Sequence, residues 1–158
     1  VPALPLVAGQ YQILLVMEQD GSWLGVIWSH LLWVVPYMLL VARPAWQQFD
    51  SRLAITAQTF GWSPWKILCW VKLPLLIRPL LAALAVGFSV SVAQYLPTLY
   101  AGAGRFTSVT TETVALSSGG DPQQQAIQAL LQMLLPAIMF IAMRQLSSLF
   151  THYRQGLR

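Results

Sequence analysis

The sequence predicts an all-α membrane protein, a polytopic helix bundle of about four spans. Only 9% of its 158 residues are charged, whereas a soluble domain carries about 25%. Hydrophobic residues make up 56% of the chain, and seven tryptophans and five tyrosines supply rings that gather at membrane interfaces. A soluble chain this short needs a wetted polar surface, so lipid is expected to surround most of this one.

Four segments are candidate spans, because a helix needs about 20 mostly apolar residues to cross a bilayer. These segments are 3–17, 21–42, 75–100 and 126–150. The second has no charge, and the third and fourth each hold one arginine near an end, Arg78 and Arg144. The first is short and contains Gln10, so it is either a truncated span or an interfacial helix. The chain starts without methionine, and we expect 1–158 to be the C-terminal part of a single, larger membrane domain.

The basic residues predict the orientation of these spans. Five lie between the second span and the start of the third (Arg43, Arg52, Lys66, Lys72 and Arg78), and the tail holds Arg144, Arg154 and Arg158. The other two connections carry one basic residue between them, Arg105. By the positive-inside rule, residues 43–74 and the C-terminus face the cytoplasm. Basic residues interleaved with apolar runs in this way set membrane orientation and do not indicate nucleic-acid binding, despite the net charge of +4.

The cytoplasmic connection 43–74 is predicted to contain two helices and a sharp turn. Asp50 or Ser51 can cap the first helix, Gly61 can end it in the left-handed conformation, and Ser63-Pro64 can begin the second. The apolar face of the first helix consists of Leu53, Ala57 and Phe60. Such an amphipathic element can be a lipid anchor, an internal brace or a docking helix, and its geometry does not choose among them.

The residues of this connection resemble the EAA loop of binding-protein-dependent ABC transporter permeases. That motif runs roughly E-A-A-x-x-x-G, nine residues, then I-x-L-P. Thr56-Ala57 stands for the two alanines, Gly61 for the glycine, and Val71-x-Leu73-Pro74 for the closing residues, without a gap. Ile55 takes the place of the family glutamate, so a polar contact made by that glutamate is in doubt.

Flanking segments resemble the iron, thiamine, polyamine and sulfate branch of the same family. They are Val35-Pro36-Tyr37, Phe49-Asp50, Phe88-Ser89-Val90-Ser91 and Pro97-Thr98-Leu99-Tyr100. This similarity covers most of the chain but touches importers of cations, vitamins and anions alike, so it does not identify a substrate.

The resemblance implies a multi-pass permease of the bacterial inner membrane that works with a second permease half, cytoplasmic ABC ATPase subunits and an external substrate-binding protein. The residues implied in ATPase coupling are Thr56, Ala57, Phe60, Gly61, Leu73 and Pro74. ATP hydrolysis is then expected on the separate ATPase, so the chain is not predicted to be an enzyme. It has no G-x-x-x-x-G-K-[ST] phosphate loop, and its residues suggest no cofactor, metal ligand set or catalytic group.

Polar residues of the third span fall on one helical face and are candidates for the substrate path: Ser91, Gln94, Tyr95 and Thr98. Polar side chains at membrane depth usually face a bundle interior or a water-filled path. The alternative is close helix packing through Gly87 and Ser91, four residues apart. His30, alone among apolar neighbours, is interpreted as a packing histidine with its hydrogen bonds satisfied.

Two other function classes compete with the importer permease. A secondary transporter or channel would use the cytoplasmic element only as a brace, but no carboxylate lies deep in a span to carry a proton. A membrane-embedded enzyme or assembly factor would need a catalytic constellation at membrane depth, and none is evident.

Overall fold

The structure is a computed structural model that describes residues 3–117, 119 and 121–155, and among these the side chains of residues 4–148. This part of the chain forms eight α-helices and one π-helical segment, Leu68–Lys72. They are α1 Ala3–Val16, α2 Trp23–Gln47, α3 Ser51–Thr59, α4 Pro64–Ile67, α5 Leu73–Val92, α6 Leu96–Ala101, α7 Val109–Ser117 and α8 Pro122–Gln155.

Three helical runs are long and apolar enough to cross a membrane, which confirms the all-α polytopic bundle. They are Trp23–Gln47, Pro64–Val92 and Pro122–Ser148, and Leu4–Val16 is a shorter apolar helix. The prediction of a cytoplasmic C-terminus depended on Arg144, Arg154 and Arg158. Arg158 and the side chain of Arg154 lie outside the described residues.

The helix bounds differ most from the predicted bounds in the second and third spans. Helix α2 continues to Gln47, so Arg43 lies within this helix and not in the connection. The helical run predicted over 75–100 begins earlier, at Pro64, and stops at Val92, and α6 starts only at Leu96. Pro97 contributes to this break, because it has no N–H to donate to the carbonyl of Ala93, four residues before it.

Helix α5 is the centre of the bundle and packs against both α2 and α8. Its buried residues are Leu76, Leu81, Ala83, Ala85 and Gly87. At Gly87 a Cβ atom would lie only 2.7 Å from the Met38 side chain and 3.0 Å from Val34 of α2. Two interpretations were offered for the polar face of this span, a substrate path and close helix packing. At Gly87 the structure shows close helix packing.

The short helix α6 is held beside the N-terminal end of α2. The Gly21 amide donates to the Ala101 carbonyl at 2.9 Å. Leu14, Val26 and Ala101 form a buried cluster, onto which Phe106 packs. These contacts bring α1, α2 and α6 together, so that α6 lies alongside the first turns of α2.

Candidate functional site

The helix caps of the connection are those that the sequence predicts. Asp50 is the N-cap of α3 and its Oδ1 accepts a hydrogen bond from the Arg52 amide at 2.9 Å. Ser63 is the N-cap of α4, its Oγ accepts from the Lys66 amide at 3.4 Å, and Pro64 is the first helical residue. Each cap satisfies an amide that the first helical turn leaves free.

Gly61 forms the turn between the two helices with a φ of +75°. Its amide donates to the Gln58 carbonyl at 2.9 Å, and the Trp62 amide donates to the Ala57 carbonyl at 3.2 Å. This pair of bonds is the Schellman arrangement, in which a glycine adopts the left-handed conformation just after the helix. Apart from Gly61 itself and its two chain neighbours, no atom of the described residues lies within 4 Å of a Cβ built on Gly61, so the turn is open to the outside.

Helix α3 presents its side chains outward. It has no buried residue, and Phe60, its C-cap residue, is 77% exposed. Thr56 is exposed and its hydroxyl donates within the helix, to the Arg52 carbonyl at 2.9 Å. Ile55, which stands where the family has glutamate, is 56% exposed. An apolar edge around Phe60 is therefore left uncovered by the described part of the chain.

The connection is joined to the membrane helices at both of its ends. The α4 helix, the π-helical segment and α5 follow one another without an interruption from Pro64 to Val92. Lys72 Nζ lies 5.3 Å from the ring centre of Trp46 at the end of α2 and 5.7 Å from that of Phe49. These cation–π contacts couple the π-helical segment to the end of α2. Leu73 and Pro74 form the first turn of α5.

A polar cluster joins α2 to both sides of the break between α5 and α6. His30 Nδ1 lies 2.8 Å from Ser91 Oγ, and His30 Nε2 lies 2.8 Å from Thr98 Oγ1. Because the Thr98 hydroxyl donates to the Gln94 carbonyl at 2.9 Å, the tautomer with hydrogen on Nε2 satisfies both ring nitrogens: Nε2 donates to Thr98 and Nδ1 accepts from Ser91. His30 thus holds a discontinuous helix together, in agreement with its interpretation as a satisfied packing histidine.

Replacing His30 with leucine should lower the stability of the full-length permease by about 1–3 kcal/mol, because the Ser91 hydroxyl loses its acceptor and the Thr98 hydroxyl loses the N–H that donates to it. Thermal unfolding in detergent measures the loss. The double variant His30→Leu, Ser91→Ala should recover part of it, because the hydroxyl that lost its acceptor is then removed. Thr98 is kept in this variant, since its hydroxyl also donates to the Gln94 carbonyl. A double variant less stable than His30→Leu would show that the histidine is not the relevant partner of Ser91.

A cavity of about 580 Å³ opens beside the break. Its lining residues are Val7, Trp33, Tyr37, Val90, Ala93, Gln94, Tyr95, Leu96 and Pro97. Gln94 is 7% exposed, and its Nε2 donates to the His30 carbonyl at 3.4 Å. Neither Gln94 Oε1 nor Trp33 Nε1 has a hydrogen-bond partner within the described residues.

The structure separates the predicted path residues into two pairs. Gln94 and Tyr95 line the cavity, whereas Ser91 and Thr98 bind the imidazole of His30. Sequence reasoning did not place Trp33, Tyr37 or His30 with them. These three residues could have been suspected from the sequence, because polar or amphipathic side chains within a span usually face the interior of a bundle.

The predicted coupling residues fall at the two ends of one helical hairpin. Thr56, Ala57, Phe60 and Gly61 lie on α3 and its turn, while Leu73 and Pro74 lie where the second arm enters the membrane bundle. Among the residues that the structure describes, no group of three or more His, Cys, Asp or Glu side chains could hold a metal ion.

Residues 3–153 match the protein family described as "Binding-protein-dependent transport system inner membrane component". The chain is 57% identical over all of its length to the Escherichia coli protein named "Inner membrane ABC transporter permease protein YnjC", of which it covers 31%. The chain therefore spans about a third of the length of this curated relative.

More distant relatives carry transport names as well. A "Spermidine/putrescine transport system permease protein PotC homolog" of Mycoplasma genitalium is 28% identical, over 65% of this chain and 36% of that protein. A "Molybdenum transport system permease protein ModB" of Haemophilus influenzae is 28% identical, over 58% of this chain and 47% of that protein. No solved structure matches the chain.

Proposed function

This chain belongs to the family of binding-protein-dependent transport system inner membrane components, and from that membership we propose that it forms part of the permease of a bacterial ATP-binding-cassette importer. The observation that carries the proposal is the hairpin formed by α3 and α4. It has the motif spacing of the family's ATPase-coupling loop, and its apolar edge is uncovered in the described part of the chain.

The hairpin can transmit force to the membrane because its second arm is continuous with the span that ends at Val92. In the proposed mechanism, Thr56, Ala57, Phe60 and Gly61 sit against a cytoplasmic ATPase. When two ATPase subunits close on ATP, they displace α3, and the helical run from Pro64 transfers the displacement through Leu73 and Pro74 to α5. Because α5 packs on both α2 and α8, its motion rearranges the bundle.

Gln94 and Tyr95 are the proposed substrate-path residues of this chain, because they line the cavity beside the break. Ser91 and Thr98 contribute indirectly, since their hydrogen bonds to His30 fix the two helix ends that shape the cavity. A second permease half would provide the opposite wall of the path.

In the proposed orientation the hairpin and the C-terminus face the cytoplasm, because basic residues are concentrated in the connection and in the C-terminal tail. The opposite side, which includes α7 and the turn at Gly104, then faces a periplasmic or extracellular substrate-binding protein. ATP hydrolysis is assigned to the separate ATPase subunits, so the chain contributes the route and the coupling but no chemical step.

The proposal is tested by purifying the affinity-tagged full-length permease from bacterial membranes in mild detergent and quantifying the ATPase that accompanies it. We expect an ABC ATPase in near-stoichiometric amount, as required of a permanent coupling partner. Transport by purified permease without any ATPase would instead identify an ATPase-independent secondary transporter and overturn the proposal.

A further inference from the structure

The last turn of α2 lies at the level of the lipid headgroups. Helix α2 begins at Trp23, and Arg43 lies about 30 Å further along it at 1.5 Å per residue. That distance is the thickness of the hydrocarbon core, about 30 Å. Tryptophans gather at the two membrane interfaces, so with Trp23 at one interface, Arg43 and Trp46 lie at the other.

A second positive charge reaches this turn from the π-helical segment. Lys72 Nζ lies 5.3 Å from the ring centre of Trp46 and 5.7 Å from that of Phe49. Arg43 precedes Trp46 by three positions, and residues with this spacing are neighbours on a helix surface. Arg43 and Lys72 therefore flank the same indole ring from two different helical elements. Arg43 is exposed and Trp46 is 50% exposed, so the cluster is open to its surroundings.

The charges around this cluster are unbalanced. Residues 43–78 hold five basic side chains and a single carboxylate, that of Asp50. Asp50 serves as the N-cap of α3, where its Oδ1 accepts a hydrogen bond from the Arg52 amide. The described contacts of the Lys72 ammonium are with aromatic rings. Two neighbouring cations repel each other, and an anion between Arg43 and Lys72 would turn this repulsion into attraction.

The position of the cluster at the membrane surface determines which anion fits it. The phosphates of anionic lipids lie at this level, and basic pockets between membrane helices bind such headgroups. Guanidinium and ammonium groups donate short, charge-assisted hydrogen bonds to phosphate oxygens. Directly below Arg43, Leu39 and Leu40 of α2 are 62% and 65% exposed, which provides an apolar surface for the acyl chains of the same lipid.

We propose that Arg43, Trp46 and Lys72 bind the headgroup of an anionic phospholipid in the cytoplasmic leaflet. This site goes beyond the permease function proposed above and depends on it only for the choice of leaflet. The bound lipid joins the end of α2 to the π-helical segment, which lies between α4 and α5. It therefore braces the junction through which a displacement of the hairpin enters the membrane bundle.

The test compares phosphatidylglycerol with phosphatidylcholine of the same acyl chains, since both carry a phosphate but only the first has a net negative charge. Each lipid is titrated into the delipidated full-length permease with its ATPase, and native mass spectrometry measures the bound lipid. We expect the tightest site to prefer phosphatidylglycerol by at least about fivefold. Arg43→Gln and Lys72→Gln should each weaken phosphatidylglycerol binding there by about fivefold, whereas Lys72→Arg should retain it.

Lys66→Gln is the matched control. Lys66 also stacks on a tryptophan, with Nζ 4.6 Å from the ring centre of Trp62, but it precedes Lys72 by six residues and so lies about 9 Å further from the bilayer along the helix. Its replacement should leave lipid binding unchanged.

The Arg43→Gln variant leaves the contacts of Lys72 with its two aromatic rings in place, so it separates loss of the lipid from damage to the junction. Equal affinity for the two lipids, or phosphatidylglycerol binding that survives both Arg43→Gln and Lys72→Gln, would overturn the proposal. Variants that keep the lipid but lose the ATPase would also overturn it, because the anion would then belong to the ATPase. Failure of the lipid site in an assembled complex leaves the permease function intact.

Discussion

The Gly61→Arg variant of the full-length permease is expected to retain at most about a tenth of the associated ATPase, a loss equivalent to about 1.4 kcal/mol of binding or more. Gly61 lies at the tip of the uncovered hairpin in the left-handed conformation, with φ of +75° and open space where a Cβ would lie. The side chain added there starts in open space and would occupy the surface proposed for the ATPase. Affinity purification of equal amounts of inserted permease, with the ATPase quantified by immunoblot, measures the loss.

Gly104 offers a matched control for backbone strain. It also adopts a left-handed conformation, with φ of +72°, and a Cβ built on it has no neighbour within 4 Å. Gly104→Arg therefore carries the same strain, about 1–2 kcal/mol, on the side of the membrane away from the proposed ATPase. We expect it to keep its ATPase. The Gly61→Asn variant should also keep most of its associated ATPase, since asparagine tolerates the left-handed conformation. Full ATPase association in Gly61→Arg would contradict the docking role of the hairpin.

The Gly87→Leu variant is expected to be destabilised by about 1–3 kcal/mol or more, the usual cost of overpacking a filled interior. The first carbon of a side chain at this position would already lie 2.7 Å from Met38 Cγ and Sδ and 3.0 Å from Val34 Cγ1. Helix α2 would have to move away from α5, the helix at the centre of the bundle. Thermal unfolding and the yield of full-length permease in detergent report the effect.

The control for Gly87→Leu is Gly9→Leu, because Gly9 also lies inside a helix but a Cβ built on it has no neighbour within 4 Å. Both changes gain the same helix propensity, about 0.8 kcal/mol, so their difference isolates the packing. Adding Met38→Ala to Gly87→Leu should restore part of the stability by vacating space. Equal stability of Gly87→Leu and Gly9→Leu would show that α2 and α5 do not approach closely at Gly87.

The features that sequence reasoning anticipated best are those in the cytoplasmic hairpin. Its caps at Asp50 and Ser63 and its turn at Gly61 depend on hydrogen bonds between residues two to five positions apart. Such bonds are determined by residue type and local spacing, so they are readable before any tertiary contact is known. The membrane character was equally accessible, because long apolar runs need no partner to be recognised.

The break in the third membrane helix was anticipated less well. A continuous helix over 75–100 was expected because the segment is apolar almost throughout. Hydropathy alone does not indicate where the hydrogen bonds of a helix are interrupted. Pro97 was a local signal for the interruption. However, prolines also lie inside α2 and α5, at Pro36 and Pro79, without ending those helices. What distinguishes Pro97 is its surroundings, where Thr98 and Thr110 bind carbonyls of the break.

By itself, the sequence determined the helical membrane class, the two-helix form of the connection and the position of its turn, all of which follow from hydropathy and short-range hydrogen bonding. The tertiary structure alone decided which polar residues meet. His30 binds Ser91 and Thr98 across separations of 61 and 68 residues, and Trp33 shares a cavity with Gln94. Such pairings depend on how antiparallel helices are rotated and shifted against each other, and close packing at residues such as Gly87 sets that arrangement.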